Sequence, residues 1–254
     1  MRRLVLLALA VFALRPAVAA EAPLVAAAAS LQGALRDAAA AFTAETGIAP
    51  RLVFGASGNL VRQIEQGAPF ELFMSADEAF VLRLAAGGQA RDEGVVYGVG
   101  RIALFAPAGS PVEVARGLDG LREALAVGRV TRFAIANPDL APYGLAAQQA
   151  LTAAGLWDQV RPRLVIGENI SQAAQFATAG GSQGGIIALS LALSPGVQAR
   201  GAHALLPEGL HAPLRQRMAL TRRAGPGAER FFAWLQTPAA QRILAAHGFT
   251  PPGE

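Results

Sequence analysis

The sequence predicts an α/β chain in two lobes, each a mostly parallel sheet flanked by helices, with a cleft between them. Three observations predict it. Short apolar runs alternate with segments of helical periodicity along most of the 254 residues. That βαβ order falls into two groups, one before and one after roughly residues 100–107, which implies parallel sheets covered by helices. Hydrophobic residues make up 53% of the chain and charged residues 16%, a balance that buries a full core and excludes a disordered chain.

The start of the chain is expected to lie outside both lobes. Arg2 and Arg3 precede an apolar run over 4–14, and Ala17-Val18-Ala19-Ala20 supplies the residues a signal peptidase reads. This is the order of a secretory signal, and the run is too short to span a bilayer. A membrane-anchoring helix is the weaker alternative. Cleavage is expected near Ala19 or Ala20. That assigns 1–20 to the signal, 21–102 and 219–254 to lobe I, and 103–218 to lobe II.

The elements follow in order. Residues 24–28 are a short apolar strand. Residues 31–43 are a helix with Leu31, Ala34, Leu35, Ala38 and Phe42 on one face, closed by Gly47. A strand over 49–54, a helix over 59–66 stopped by Gly67, a strand over 72–75 and a helix over 78–86 complete the first group. A strand of small and apolar residues over 100–106 opens the second. It is followed by a strand over 132–136, a helix over 144–154, a strand over 163–166, a helix over 171–179 and an apolar strand over 184–189. A strand over 218–221 and helices over 228–235 and 239–247 end the chain. There is no Gly-Ser-rich linker, so lobes joined by strands fit better than separate beads.

Composition removes several chemistries. There is no Cys, which excludes disulfide scaffolds, thiolate zinc sites and Cys nucleophiles. All 22 basic residues are Arg, which excludes a Schiff base and a P-loop lysine. The net charge of +4 and a pI near 10.8 point at first to a nucleic-acid partner. Loss of the signal removes Arg2, Arg3 and Arg15, leaving 19 Arg against 18 acidic residues, a formal +1. A nearly balanced surface does not support nucleic-acid binding.

The informative residues sit at strand-to-helix turns. Ser30 follows the first strand. Ser57 lies in Gly55-Ala56-Ser57-Gly58-Asn59. Tyr143-Gly144 follows Pro142, and Asn169-Ile170-Ser171 opens a later helix. Helix N-termini carry unpaired N–H groups and the positive end of the dipole, so these turns form an anion site without a counter-charge. Ser and Asn are also ordinary N-caps, and capping alone accounts for any one of the turns. The functional reading rests on the four together.

Longer stretches resemble a known family. Ala27-Ala28-Ala29-Ser30-Leu31, Phe54-Gly55-Ala56-Ser57-Gly58 and the run from Gln63 to Asp77 resemble the periplasmic molybdate-binding proteins of ABC transporters. So do Asn137-Pro138 with Pro142-Tyr143-Gly144, Glu168-Asn169-Ile170, Gly185-Ile186-Ile187, Pro238-Ala239-Ala240 and His247-Gly248-Phe249, in the same order over nearly all the mature chain. The resemblance implies a type II periplasmic-binding-protein fold that closes on molybdate or tungstate. It implies no cofactor, a membrane permease as partner, a periplasmic location and a monomer. Carried over, the oxyanion contacts are Ser30, Ser57, Tyr143 and Ile170. The two serines would give hydroxyls and N–H groups, and Ile170 its backbone N–H. Many members use a Tyr after the Gly-Ile-x strand; here that position is Ala188, which leaves the contact set different.

Other readings are weaker. A receptor for another tetrahedral oxyanion such as sulfate is the near alternative. An enzyme on the same bilobal fold is more remote: the porphobilinogen-polymerising enzymes hang their cofactor on a Cys, which this chain lacks. A regulator's sensing domain would need an N-terminal helix-turn-helix. The turn at Ser57 lacks the last Gly of a nucleophile elbow. His203, His211 and His247 have no metal spacing. Asp77 is expected as an N-cap or a lobe-packing residue, a catalytic carboxylate being the weaker reading, and Trp157 and Trp234 as packing residues. Arg215, Arg217, Arg222 and Arg223 are either a solvated face or a contact for the transporter.

Overall fold

The computed structural model describes residues 22–252, so the expected signal over 1–20 lies outside the described residues. Ten strands form two five-stranded sheets. Strands β1 (Leu24–Ala28), β2 (Arg51–Gly55), β3 (Leu72–Ser75) and β4 (Val95–Gly100) belong to the first. Strands β5 (Ile102–Pro107), β6 (Phe133–Ala136), β7 (Leu164–Gly167), β8 (Gly185–Ala188) and β9 (Gly201–Leu205) form the second, and β10 (Leu214–Leu220) returns to the first. The orders are β2-β1-β3-β10-β4 and β7-β6-β8-β5-β9. Each sheet has four strands in one direction and one reversed: β10 lies antiparallel between β3 and β4, and β5 antiparallel between β8 and β9. The mostly parallel sheets expected from the βαβ order are therefore present.

Three expectations change. The strand over 100–106 is β5, and an unexpected strand β4 precedes it, with Arg101 alone between them; the two lie in different sheets. The strand over 218–221 starts earlier, at Leu214, so the changeover placed between 218 and 219 falls inside β10, and Ile102 opens the second sheet. The chain leaves the first sheet at Arg101 and is back in it by Leu214. The strand β9 and the helix α4 (below) were not anticipated, although Leu118, Leu121 and Leu125 recur at helical spacing in α4.

Helices cover both faces of each sheet. They are α1 (Gln32–Thr46), α2 (Ser57–Glu65), α3 (Glu78–Ala86), α4 (Leu118–Ala126), α5 (Pro142–Ala153), α6 (Trp157–Val160), α7 (Ile170–Thr178), α8 (Leu189–Ala192), α9 (Pro195–Gln198), α10 (Pro226–Trp234) and α11 (Pro238–Ala246). Side chains on a strand alternate between faces, so an apolar strand feeds two cores. On the first sheet Val25, Ala27, Leu72, Met74 and Met218 pack with Leu35, Phe42, Phe231 and Leu244. Their neighbours Ala26, Phe73 and Ala219 pack on the other side with Leu60, Val61, Ile64, Val81 and Leu84 of α2 and α3. The second sheet repeats this: Ile102, Leu104, Phe133 and Ile135 face α4 and α5, while Ala103, Phe105, Ala134 and Ile187 face α7 and α8. Gly47 closes α1 at φ 72°, a conformation that favours glycine. Asp77 is the N-cap of α3, its Oδ1 accepting from the Ala79 N–H at 2.9 Å.

The first core is anchored by three aromatic rings. Phe42 lies 4.9 Å from Phe231 and 5.8 Å from Trp234, centroid to centroid, tying α1 to α10. Trp234 is packing, as its position suggested, and its Nε1–H also donates to Glu45 at 2.8 Å. Phe231 is fully buried, so Phe231→Ala is expected to lower stability by about 3–5 kcal/mol. Urea denaturation followed by circular dichroism measures it, and a loss under about 1 kcal/mol would mean that α10 does not depend on this packing.

Candidate anion site between the lobes

The co-directional strands of each sheet end on one side, and their turns meet there. The turn after β1 is a 3-10 turn over Ala29–Leu31 leading into α1, the turn after β2 opens α2, the turn after β6 leads to α5, and the turn after β7 opens α7. Residues from all four turns line one small cavity. Ser30, Ser57, Tyr143 and Ile170 all line it, with Ala28, Ala29, Gly55, Ala56, Ala76, Ala141 and Pro142. All four residues singled out in the sequence are thus brought together, each at most 3% exposed. Among the described residues, no charged side chain lines the cavity.

The N–H groups there are left over by local bonding. In α7 the side chain of Asn169 accepts from Ser171 N–H at 3.0 Å and Gln172 N–H at 3.1 Å, so the cap leaves out Ile170. In α2 the Asn59 and Leu60 N–H groups go to Ala56 C=O, and Gly58 N–H goes to Leu140 C=O at 2.9 Å, which leaves Ser57. In α5 the Gly144 and Leu145 N–H groups go to Ala141 C=O and Pro142 has no N–H, which leaves Tyr143. Among the described residues, Ser57, Tyr143 and Ile170 have no protein acceptor for these N–H groups. A helix start unpartnered inside a protein is an anion site by electrostatics alone.

The hydroxyls have the same polarity. The Ser57 Oγ accepts from Ala76 N–H at 3.0 Å, so its own proton is free. The Tyr143 Oη accepts from Gln216 Nε2 at 2.8 Å, with the same result. The Ser30 Oγ is buried without a partner at hydrogen-bonding geometry, although it lies close enough to the phenol to favour its ionised form. A buried polar atom with no partner is costly, and a ligand oxygen would relieve it. Ala188 is fully buried at the end of β8 opposite Ile102 and does not line the cavity, so Tyr143 is the one phenol there among the described residues.

The lobes meet around this cavity. The Gly58–Leu140 bond crosses between them. Ser171 Oγ donates to Ala29 C=O at 3.1 Å, Ser190 Oγ to Ser30 C=O at 2.7 Å, and Asn59 Nδ2 to Glu168 Oε1 at 2.9 Å. A Cβ on Gly58 would stand 2.8 Å from the Leu140 oxygen, so this approach requires glycine. The conformation is a closed one.

Some features were not legible as function. Gln216 and Tyr97, which brace Tyr143, were not singled out. The signal was present for Gln216: in β10 it takes the buried phase of the alternation, between Leu214 and Met218, where a polar side chain needs a partner. The Arg cluster divides. Arg215 and Arg217 pair with Glu78, while Arg222 and Arg223 border a surface cleft with Ile64 and Phe70. His247 bonds Asp37 at 2.8 Å beyond α11.

Burial pushes the phenol of Tyr143 well above its usual 10, and the Ser30 and Gln216 side chains offset part of that. Burial does the same to Tyr97, and an ionised Tyr143 would raise it further. The chain has two tyrosines, so its phenol absorbance reports on these two residues alone. A folded pKa above the unfolded one means stability held below pH 10 and lost as pH rises beyond it. Spectrophotometric titration is expected to show no phenolate until the protein unfolds, with both appearing together. Reversible ionisation near pH 10 in folded protein would contradict the buried pair.

The comparisons with known proteins agree with this geometry. The model of the family "Bacterial extracellular solute-binding protein" matches residues 23–250. The molybdate-binding protein ModA of Azotobacter vinelandii is 32% identical over 228 residues, 89% of this chain and 88% of its own length. ModA of Rhodobacter capsulatus is 32% identical over 237 residues, 92% of this chain and 90% of its own length. The solved periplasmic molybdate-binding protein of Azotobacter vinelandii has a TM-score of 0.82 at 30% identity, over 91% of this chain and 99% of that one. These relatives are binding proteins, not enzymes. With a match from residue 23 to residue 250, the chain belongs to the bacterial extracellular solute-binding protein family.

Proposed function

We propose that the protein is an extracytoplasmic receptor that binds molybdate, and tungstate, in the cavity between its lobes and delivers it to the permease of an ABC importer. The observation that carries this is the meeting of four strand-to-helix turns around one cavity lined by no charged side chain. The names of the relatives supply the ion. Ser30, Ser57, Tyr143 and Ile170 are the contacts in this reading. Ser30 and Ser57 give hydroxyls and N–H groups, Tyr143 its phenol and Ile170 its N–H. No cofactor takes part, and a cavity completed within one chain suits a monomer. The expected export signal and the periplasmic relative support a periplasmic location. The Ile170 side chain, nearly fully buried, shields the ion from water.

A cage of neutral donors selects by charge state and size. A fully ionised dianion accepts from every donor. Hydrogen phosphate carries a proton that would face an N–H or O–H, leaving two donors opposed. Sulfate is fully ionised but smaller, so a cage set for the longer metal–oxygen bonds holds it less well. Ligand contacts from both lobes favour the closed form, which the permease then reads.

Titration calorimetry with the four ions side by side tests the assignment. Molybdate and tungstate are expected to bind much more tightly than sulfate, and phosphate not at all. Sulfate binding as tight as molybdate binding would make this a general sulfate-class receptor. Ser57→Ala removes one charge-assisted bond and is expected to weaken molybdate binding by about 1–3 kcal/mol. An unchanged affinity in that variant would take Ser57 out of the site.

A further inference from the structure

We infer that Gln216 is a positioning residue that fixes the direction of the Tyr143 phenol proton and so makes Tyr143 a donor toward the bound ion. This rests on the oxyanion reading above. Gln216 is fully buried on β10 in the first lobe, while Tyr143 is on α5 in the second. A register shift between Gln216 and Arg217 locally breaks the β10–β4 ladder, the kind of irregularity that re-aims a side chain.

A carboxamide has a donor end and an acceptor end. Here Nε2 faces the Tyr143 oxygen at 2.8 Å, and Oε1 accepts from the Tyr97 O–H at 2.8 Å. The Tyr97 oxygen also lies 2.9 Å from the Ser75 carbonyl, so its single proton has acceptors on its own side. Tyr143 receives a proton from the amide, and the other side chain beside its phenol, Ser30, lines the same cavity, so the Tyr143 proton is directed toward the cavity. Turned end for end, the amide would accept the Tyr143 proton and the cavity would meet a lone pair. The orientation of Gln216 therefore decides whether the ion meets a donor or an acceptor.

Gly100 leaves room for this pair. A Cβ there would fall well inside van der Waals contact of both the Tyr143 oxygen and the Gln216 nitrogen. Gly100 is the last residue of β4, next to the crossing at Arg101, so the bond forms where the lobes are joined. The proton direction is fixed by a bond between lobes and depends on their closure.

A double-mutant cycle tests the inference, with molybdate titrated calorimetrically into wild type, Gln216→Met, Tyr143→Phe and the double variant. Gln216→Met is expected to weaken binding about tenfold, the factor carried by one bond to a charged group. In the Tyr143→Phe background the same change is expected to cost nothing further. Gly100→Ala, which keeps Gln216 and displaces the bond, should reproduce both results and carries the test if Gln216→Met fails to fold. The tyrosine difference spectrum on adding molybdate should be present in wild type, and lost in Gln216→Met as it is in Tyr143→Phe. Equal losses in both backgrounds, or no loss in either, would overturn the inference while leaving molybdate binding by wild type intact. Wild type that fails to bind molybdate would overturn the oxyanion reading and this inference with it.

Discussion

The first turn of an α-helix has N–H groups that its own backbone cannot satisfy, and burying them without partners is unfavourable. This protein buries such turns at four strand ends and leaves several of their donors open to one cavity. The rest of the architecture serves that arrangement. Strands must run in one direction for their turns to meet on one side, which requires crossover helices and apolar strands covered on both faces. Two sheets must be arranged so that their turns face each other. The residues at the turns must be small, because Ala28, Ala29, Ala56 and Ala76 stand where a larger side chain would fill the cavity. Local caps then choose which donors stay open: Asn169 and the Ala56 and Ala141 carbonyls take their neighbours and leave Ile170, Ser57 and Tyr143.

The joining of the lobes matters as much as the turns. One crossing is a single residue, Arg101, between β4 and β5, and the other is the segment between β9 and β10. The reversed strands β5 and β10 each follow a crossing, so the inter-lobe joints enter each sheet between other strands and not at its edge. Gly100 adjoins the crossing at Arg101, and Gln216 on β10 bonds Tyr143 across the lobes, so the joints and the cavity lie side by side. The bonds from Gly58, Asn59, Ser171 and Ser190 join the lobes beside the cavity, two of them on the carbonyls of Ala29 and Ser30, which line it.

Much of this was legible in the chain. Helix period and strand alternation gave most elements, since a segment buried on one face or both must show it in its side chains. The four turns stood out together as helix starts, the family resemblance singled out Ser30, Ser57, Tyr143 and Ile170 within them, and all four line one cavity. What was hidden depends on contacts distant in sequence. The segment over 95–100 was not read as a strand, and only sheet membership separates it from β5 at Arg101. Gln216 lies 73 residues from Tyr143 and 119 from Tyr97, so no local pattern could pair them. Asp77 was legible as a cap because capping is local, whereas the pairing of Arg215 and Arg217 with Glu78 is a tertiary fact.

The uncharged lining of the cavity bears on the medium in which the protein works. Attraction between full charges is weakened by dissolved salt, with a screening length of about 8 Å at physiological ionic strength. Dipoles in contact with a ligand, in a cavity closed to water, are not reached by that screening. A receptor built this way keeps its grip as the surrounding salt rises and falls, a useful property in a compartment whose ionic content follows the outside world.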